Sequence, residues 1–501
     1  ILQSVATSVL GKFNVSHARR KLTEEAQDQD ILSTTKAVKK TFRNQKQHCW
    51  TSSQEKESPH QSAVRHFSEI FCSPKQEHRP PLPPLENYNT SPPTTFMNNF
   101  SSSRVWKTIK EYPNGKSPGN DNIPNILLET VGDENHPFII ALSNLFKLCT
   151  HLQRTPSRWN HARVLPLPKS TSTNIESSRP IALTVIFRRL FERCLLNSIV
   201  FKSNEDMTRS EKQQGFVGIK KIHWAQAAFR SRSSTLSHIA VLHELLIRRI
   251  VKFLLFLDLI KAYDTVSIEL LLRKLGERID PTCNFILPLI RKLFMGTSIS
   301  IIVNGIPTIP VEMKRGLLQG SVLSPILFNI YLDDLARILQ PATAQARMVN
   351  LLFADDIVVF SDKWEEIPDL LEKVVKWSHN NGMEINPHKS GLILPPSDIG
   401  RGNELMQILQ GKTGLKFPIV SNYKYLAIGV PMGWCCILWC ELISSTKRKT
   451  LAALRKLRPL AITLQWSEKV RLTILKIFVL SRLQYPAGLL WAGFQGFNSG
   501  D

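Results

Sequence analysis

Residues 251–258 read Val-Lys-Phe-Leu-Leu-Phe-Leu-Asp, and residues 351–360 read Leu-Leu-Phe-Ala-Asp-Asp-Ile-Val-Val-Phe. The first stretch is almost continuously apolar, which predicts a strand covered on both faces that ends at Asp258. In the second, apolar β-forming residues flank an acidic pair, which predicts a hairpin with Asp355 and Asp356 at its turn. If the hairpin pairs beside the first strand, three carboxylates meet at one edge of a sheet.

A second acidic pair has the same aromatic-x-Asp-Asp spacing, because residues 331–334 read Tyr-Leu-Asp-Asp. Ser324 can cap a helix, Pro325 suits a first helical position, and apolar residues recur after them at helical spacing. This pattern predicts that Asp333 and Asp334 lie on a helix surface, where a charge is tolerated. We therefore exclude them as metal ligands.

Clustered carboxylates suit divalent cations, since Mg²⁺ binds oxygen ligands and is commonly held by a few carboxylates plus substrate phosphates. In phosphoryl transfer one ion lowers the pKa of the attacking hydroxyl and a second neutralises the leaving group. We predict that Asp258, Asp355 and Asp356 are catalytic and hold two Mg²⁺ ions, with Mn²⁺ as a substitute. The alternative for the hairpin pair is an ordinary turn, where Asp is common.

The 501 residues carry 64 Lys plus Arg against 41 Asp plus Glu, a formal charge of +23. Such an excess favours a polyanionic partner such as nucleic acid, although an ordinary basic protein is the alternative. The eight cysteines show no CxxC element, which suits a reducing compartment. Zinc binding by Cys436 and Cys440 is a weaker interpretation than apolar packing.

The composition divides the chain into four parts. Residues 1–95 form a polar N-terminal extension that ends in a Pro-rich linker, and globular patterning begins at residue 96. A mixed α+β region spans 251–430, and 431–501 is helical and basic. No apolar run is long enough for a membrane helix. Because the chain begins at Ile1 rather than Met, we expect it to be a piece of a longer protein.

Seven motifs occur in a fixed order: KSPGND (116–121), RVLPLPK (163–169), SRPIAL (178–183), QAAFR (226–230), FLDLIKAYD (256–264), GLLQGSVLSP (316–325) and FADD (353–356). This ordered set resembles the reverse transcriptases of non-LTR (LINE-type) retrotransposons over roughly residues 60–490. The resemblance implies an α+β right-hand polymerase, with fingers at 96–250, a palm with an antiparallel sheet at 251–430, and a helical thumb at 431–501 whose truncation is left open.

The same resemblance implies the activity and the partners. The activity is RNA-directed DNA polymerisation, in which dNTPs extend a primer 3′-hydroxyl for retrotransposition. The partners are an RNA template and a DNA primer or target, inside the cell and in the nucleus, without membrane association. The resemblance does not identify any protein partner.

The resemblance also implies nucleotide-binding residues, which are Lys169, Arg179, Tyr263, Gln319, Gly320 and Lys389. Tyr263 would lie beneath the incoming sugar, where its ring excludes a 2′-hydroxyl. Gln319 and Gly320 would approach the nascent base pair, and Lys169 and Arg179 would bind the triphosphate. Lys389 would protonate pyrophosphate. The alternatives are a core tyrosine and solvated surface charges.

A further set is implied to bind nucleic acid: Arg230, Tyr425, Lys447, Arg448, Arg455 and Lys456. Tyr425 belongs to a hairpin similar to the family's primer grip, and the last four residues cluster on a probable thumb helix. A solvated basic helix is the alternative.

Two departures from the family pattern bear on activity. Ala228 and Ala427 stand where the family has glycine, so we expect a strained turn and an altered primer grip. They favour the competing hypothesis of a catalytically silent, RNA-binding scaffold from a decayed element. A group II intron maturase or retron-type polymerase is a third possibility, which the KSPGND element and the N-terminal region fit less well.

Overall fold

The structure is a computed structural model that describes residues 50, 57–72, 91–169, 174–202, 206–230, 233–340, 350–426, 428–431, 439–463 and 468–480. Ala427, Cys436 and the Pro-rich linker up to residue 90 lie outside the described residues. Among the described helices, none is both long enough and apolar enough to cross a membrane.

The described α-helices lie mainly between and around two sheets. They are α1 (Pro59–Cys72), α2 (Thr94–Met97), α3 (Ser102–Glu111), α4 (Asn125–Glu129), α5 (Pro137–His151), α6 (Ile186–Asn197), α7 (Arg209–Gln213), α8 (Thr235–Ile247), α9 (Ile268–Gly276), α10 (Ile286–Phe294), α11 (Ser324–Leu339), α12 (Glu366–Asn380), α13 (Ile399–Thr413), α14 (Trp439–Thr463) and α15 (Glu468–Leu475).

The strands are mostly short. They are β1 (His161–Pro168), β2 (Ser178–Leu183), β3 (Ile199–Val200), β4 (Val217–Gly218), β5 (Phe253–Asp258), β6 (Thr297–Val303), β7 (Ile306–Pro307), β8 (Val311–Met313), β9 (Asn350–Phe353), β10 (Asp356–Ser361), β11 (Gly391–Ile393), β12 (Asn422–Tyr425) and β13 (Ile428–Pro431).

A four-stranded antiparallel sheet in the order β11-β5-β10-β9 forms the centre of the fold. The apolar run that ends at Asp258 is its buried strand β5, as predicted, and Phe253 to Leu257 are almost fully buried. The hairpin of β9 and β10 pairs beside β5, so that Asp356 lies opposite Asp258. The expected pairing of two distant stretches is therefore present.

A second, five-stranded sheet combines strands from both sides of residue 250. β1 pairs antiparallel with β2 and parallel with β6, and β7 and β8 also pair with β6. Residues 297–313 therefore extend the sheet that begins at residue 161, although they follow the central strand β5 in sequence. Helix α1 packs on this sheet through Phe67, Ile70 and Phe71.

Helix α11 crosses the core behind the four-stranded sheet, with Phe328, Tyr331 and Leu332 fully buried. The prediction that Asp333 lies on a helix surface is wrong, because its side chain is completely buried. Its charge is compensated by ion pairs with Arg278 and Arg337. Apolar spacing alone did not reveal these distant partners.

The neighbouring Asp334 is partly exposed and binds the Lys274 ammonium and the Trp377 indole N–H. The helix itself begins at Ser324, and the Ser324 hydroxyl makes no capping hydrogen bond, so the predicted cap is also wrong. Pro325 does lie in the first turn, as predicted.

Candidate active site

The turn between β9 and β10 presents the acidic pair. Phe353 pairs with Asp356, which leaves Ala354 and Asp355 as the two turn residues. Ala354 has φ +55°, in the left-handed region that a residue with a Cβ rarely adopts. This tight turn places Asp355 beside the end of β5, where Asp258 lies.

Asp258 and Asp355 line one cavity of about 630 Å³ at the edge of the central sheet. Burial raises the pKa of Asp355, and repulsion by Asp258 adds to this effect. Asp356 does not line the cavity, yet it lies close enough to interact with both acids. Removal of water from its carboxylate, followed by repulsion from Asp355 and Asp258, raises the pKa of Asp356 to about 6.

Basic side chains face these acids from three elements. The Lys389 ammonium lies 3.9 Å from an Asp258 carboxylate oxygen and is mostly exposed. Lys169 and Arg179 come from the hairpin of β1 and β2 and line the same cavity. Partial loss of water, together with the nearby charges of Lys389 and Arg179, lowers the pKa of Lys169. The cavity therefore contains both acidic and basic side chains, with Lys389 next to Asp258.

The donor set fits a divalent cation. Asp258 and Asp355 carry hard carboxylate oxygens that line one cavity, and their mutual repulsion is the kind that a bound cation relieves. In the described part of the chain no three His, Cys, Asp or Glu side chains are already grouped as a metal site. Two carboxylates, with the remaining positions left to substrate phosphates and water, match the way Mg²⁺ is commonly held.

Tyr263 forms the floor of the cavity. Its ring stacks on Phe328 at 4.2 Å between centroids and meets the edge of Phe229 at 6.5 Å. The Tyr263 hydroxyl is buried and has no hydrogen-bond partner among the described residues. Phe229 was missed in the sequence analysis, although its ring is 53% exposed and lines the same cavity.

Gln319 is held by a buried acid that the sequence analysis also missed. Its side-chain amide donates a 2.8 Å hydrogen bond to Asp264, and its backbone carbonyl accepts from Ala182 of β2. Burial raises the pKa of Asp264 to about 6, despite the hydrogen bond from Gln319. The only sequence signal for Asp264 is its place directly after Tyr263.

Gly320 lies where the loop before α11 meets β2. It has φ +135°, and a Cβ built there would come within 2.2 Å of the Ala182 carbonyl oxygen. The close backbone approach predicted at Gly320 therefore exists within the protein itself. Its contact with a base pair stays a prediction.

A buried ion pair holds this loop in place. Arg188 and Glu192 of α6 are both completely buried, with 2.7 Å between Nε and Oε1. Glu192 also accepts hydrogen bonds from the Ser321 hydroxyl and the Val322 backbone N–H, each at 2.7 Å. The loop that carries Gln319 and Gly320 is thus attached to the helix behind it.

The KSPGND element has a similar supporting role. Asp121 accepts a 2.8 Å hydrogen bond from the Ile186 backbone N–H at the start of α6, a helix end where a negative charge is favourable. Gly119 lies against the Thr184 carbonyl, where a Cβ would come within 2.3 Å. The Arg189 guanidinium binds the Ser117 carbonyl at 2.8 Å.

The N-terminal region contributes a wall of the cavity, which the sequence analysis did not foresee. His66, Phe67 and Ile70 of α1 line it. The His66 ring nitrogen lies 3.3 Å from the Lys261 ammonium. Burial and the charge of Lys261 lower the pKa of His66 to about 4, so that the ring is neutral near pH 7.

The residues predicted to bind nucleic acid lie outside this cavity. Arg230 uses its guanidinium to bind the carbonyls of His223 and Gln226. Tyr425 is only 2% exposed, packs on Phe256 and lies 3.1 Å from the His238 ring. The predicted contact of Tyr425 with nucleic acid does not fit this burial, because strand alternation turns its ring into the core.

The basic residues of α14 are arranged as predicted on one helix. Lys447, Arg448, Arg455 and Lys456 are all exposed. Ala453 and Leu457 on the opposite side pack against α15 and the turn after it.

Strain expected at Ala228 is found one residue later. Ala228 is fully buried with an ordinary backbone, whereas Phe229 has φ +56°. The Ala228 carbonyl accepts a hydrogen bond from the Asn329 amide. The substitution of glycine by Ala228 is therefore accommodated without a left-handed backbone at that residue.

Comparison with known proteins identifies a family that spans more than half of the chain. Residues 167–430 match the family described as reverse transcriptase (RNA-dependent DNA polymerase). A Pol polyprotein from the type-1 retrotransposable element R2 of Popillia japonica is 32% identical over 34% of this chain and 30% of that protein. A probable RNA-directed DNA polymerase from transposon BS of Drosophila melanogaster is 25% identical over 57% of this chain and 31% of its own length. The chain thus spans about a third of these relatives.

Among solved structures, the apo telomerase of Candida tropicalis aligns with a TM-score of 0.37 and 11% identity. The alignment covers 57% of this chain and 49% of the telomerase.

Proposed function

The chain belongs to the reverse transcriptase (RNA-dependent DNA polymerase) family, and we propose that it extends a primer 3′-hydroxyl with dNTPs on an RNA template. The resemblance to non-LTR retrotransposon enzymes drawn from its motifs is confirmed, as is the right-hand polymerase class of the fold. Retrotransposition, as in the relatives named above, is the process that we propose for it.

The observation that carries this proposal is one cavity with two opposed charges. Asp258 and Asp355 line this cavity together with Lys169, Arg179 and Lys389, and the Lys389 ammonium lies 3.9 Å from Asp258. A nucleoside triphosphate needs cationic donors for its phosphates and an acidic site beside its α-phosphate. The cavity offers both within one opening.

Reverse transcriptases generally use divalent metal ions, and we propose Mg²⁺, with Mn²⁺ as a substitute, at Asp258 and Asp355. Two such ions, when bound, would lower the pKa of the primer hydroxyl and neutralise charge on the leaving pyrophosphate. Asp356 contributes negative charge to the site from outside the cavity.

The protein side chains perform the positioning. Lys169 and Arg179 hold the triphosphate, and Lys389, adjacent to Asp258, donates a proton to pyrophosphate. Tyr263 supports the sugar, and its position is fixed by stacking on Phe328. Gln319, oriented by Asp264, contacts the nascent pair beside Gly320.

We assign fingers to residues 96–250, a palm to 251–430 and a thumb to 431–501. The fingers sheet also takes in strands β6, β7 and β8. The template–primer duplex would follow the exposed basic face of α14 (Lys447, Arg448, Arg455 and Lys456). We also propose that the protein acts in the nucleus, where such a duplex forms on chromosomal DNA.

Primer extension on poly(rA)/oligo(dT) with Mg²⁺ or Mn²⁺ tests the activity. The native chain is expected to incorporate dTTP, and Asp355→Ala is expected to abolish incorporation. Asp369→Ala, at an exposed acid paired with Lys412, is the matched control and should retain it. Absence of incorporation by the native chain, or equal incorporation by Asp355→Ala, would favour the silent scaffold.

Sugar selection by Tyr263 is tested in the same assay. Tyr263→Ala should raise incorporation of ribonucleotides relative to deoxynucleotides, because the ring no longer occupies the space of a 2′-hydroxyl. Tyr263→Phe keeps the ring and should keep the preference. An unchanged preference in Tyr263→Ala removes the assignment.

A further inference from the structure

A second cavity, of about 750 Å³, lies on the other side of the segment that ends in Phe229 and Arg230. Phe229 lines the active-site cavity, and the next residue, Arg230, lines this one. We name it the rear groove. Its basic lining residues are Lys220, Lys221, Arg230, Lys274, Arg278 and Arg337.

The rear groove carries a net positive charge. The acids on its lining are Asp206, Glu277 and Asp334, and Asp333 behind the lining pairs with Arg278 and Arg337, so that six basic residues stand against four acids. Lys220 and Lys221 are exposed at the rim. Such a surface attracts a polyanion, because contact with phosphates releases condensed counterions.

The rim also presents an exposed aromatic ring. Trp224 is 46% exposed, and its indole borders the groove beside His223. Aromatic rings that stand next to basic side chains are the usual platform for unpaired bases. An acidic peptide would use the charges but gains less from an exposed indole.

A buried network holds this rim in a fixed shape. The fully buried Asp333 binds Arg278, Arg337 and the His223 backbone N–H. The two guanidiniums in turn bind the carbonyls of Lys220 and Lys221 at 2.8 to 3.0 Å. The backbone that displays Lys220, Lys221 and Trp224 is therefore organised in advance, which lowers the entropy lost on binding.

We propose that the rear groove is a second binding site for single-stranded nucleic acid, with one base stacked on Trp224 and phosphates bound by Lys220 and Lys221. Recognition through a base face and phosphates does not depend on the sugar. RNA and DNA strands should therefore bind with similar affinity, and a duplex of equal length more weakly.

Binding of fluorescently labelled 20-nucleotide oligo(U) and oligo(dT) to the full chain tests this proposal at several salt concentrations. Trp224→Ala should weaken both roughly tenfold, from the usual strength of base–aromatic stacking. Trp224→Phe, which keeps a ring, should recover most of the affinity. The exposed position of Trp224 makes these substitutions compatible with folding.

The lysines are tested through the salt dependence. Lys220→Ala combined with Lys221→Ala should lower the slope of log K against log salt by about 1.4, since each phosphate contact on a single strand contributes roughly 0.7. The matched control removes the exposed Lys373 and Lys376 of α12 and should leave the slope unchanged. Equal slopes for the two double variants would overturn the proposal.

Photocrosslinking with 4-thiouridine in the oligo(U) strand locates the contact without any need for polymerisation, so this test is independent of the activity proposed above. Crosslinks to the peptide that contains Trp224 are expected, and they should disappear with Trp224→Ala. Crosslinks confined to the active-site cavity would overturn the proposal. Three other results would also overturn it. Polyglutamate could displace the labelled strand as effectively as oligo(dT) does, or a duplex of equal length could bind as tightly as a single strand. The third is a preference above tenfold for either oligo(U) or oligo(dT).

Discussion

The chain contains two aromatic-x-Asp-Asp sequences that the fold uses in opposite ways. In α11 the Asp333 carboxylate is buried between two arginines, and Asp334 binds Lys274 and Trp377. At the hairpin tip Asp355 lies beside another acid, and its compensating cations are arranged across an open cavity. Acids that the protein itself neutralises serve its structure, whereas acids left beside one another are available to an external cation, as proposed above for Asp258 and Asp355.

The pKa shifts record the same difference. Burial alone would raise the pKa of Asp333, but the His223 N–H and the two guanidiniums lower it. For Asp355 and Asp356 burial acts together with mutual repulsion, so both pKa values are raised. The stability contribution of Asp333 therefore changes with pH in the opposite direction to those of Asp355 and Asp356.

The largest expected effect is on catalysis. Asp355→Asn should lower nucleotide incorporation by roughly a thousandfold or more, because the neutral amide removes an ionised oxygen ligand; this equals about 4 kcal/mol of barrier. Asp334→Asn should stay within about threefold of the native chain once folded protein is counted. Primer extension at saturating metal measures both. A comparable loss in the two variants would contradict the assignment of catalysis to the hairpin acids alone.

The second effect is on stability, and here we expect a larger change at the acid of α11 than at the acid of the hairpin turn. Asp333→Asn should lower the free energy of unfolding by about 3 kcal/mol, because it leaves the mostly buried Arg278 guanidinium and the half-exposed Arg337 guanidinium without their carboxylate. Denaturant unfolding of Asp355→Asn should show no loss, since that change removes a repelling charge. Asp369→Asn, which breaks an exposed pair with Lys412, is the control and should cost less than about 1 kcal/mol. A mild effect of Asp333→Asn would contradict the structural role.

How far sequence alone led can be judged from these two pairs. The apolar run before Asp258 and the β-forming residues around Asp355 were sufficient to predict a strand and a hairpin, because local patterning determines both. Their pairing was an assumption that the structure confirms, because β10 pairs with β5. The burial of Asp333 depends on Arg278, which is 55 residues away and reaches it only through tertiary packing. The same limitation hid the inward orientation of Tyr425 and the docking of α1.

The third effect is the dependence of stability on pH in the presence of a chelator. The pKa of Asp356 is higher in the folded state than in the unfolded state. Its favourable contribution to the free energy of unfolding is therefore fully present below the unfolded pKa near 4 and is lost as pH rises through about 6. Relative to Asp356→Asn, the native chain should therefore lose about 1 kcal/mol of stability between pH 4.5 and 7.5. The value is small because water still reaches the side chain, although surrounding atoms partly desolvate its carboxylate.

The acid in α11 provides the contrast for that measurement. Because the pKa of Asp333 is lowered by folding, its favourable contribution to the free energy of unfolding is present above pH 4 and is lost as the solution becomes more acidic. Thermal unfolding of the native chain and both Asn variants across this range measures the two signs. If the difference in stability between the native chain and Asp356→Asn does not change with pH, the proposed repulsion among these acids is contradicted.

The smallest effect concerns the backbones that carry the two pairs. Ala336→Gly, in the buried interior of α11, should cost about 1 kcal/mol of stability. Ala354→Gly should be neutral or stabilising by up to about 1 kcal/mol, because φ +55° suits glycine better than alanine. Equal losses at both positions would show that the hairpin turn is not strained.

The placement of α1 has a practical consequence for anyone who wishes to express the enzyme. The family match begins at residue 167, yet His66, Phe67 and Ile70 line the candidate active-site cavity, and Phe67 and Ile70 pack on the sheet of β1 and β6. A recombinant fragment trimmed to the matched region would expose that apolar surface to water and remove one side of the cavity. Useful boundaries for crystallisation or assay therefore start upstream of Glu57, whose carboxylate binds Arg65 of this helix.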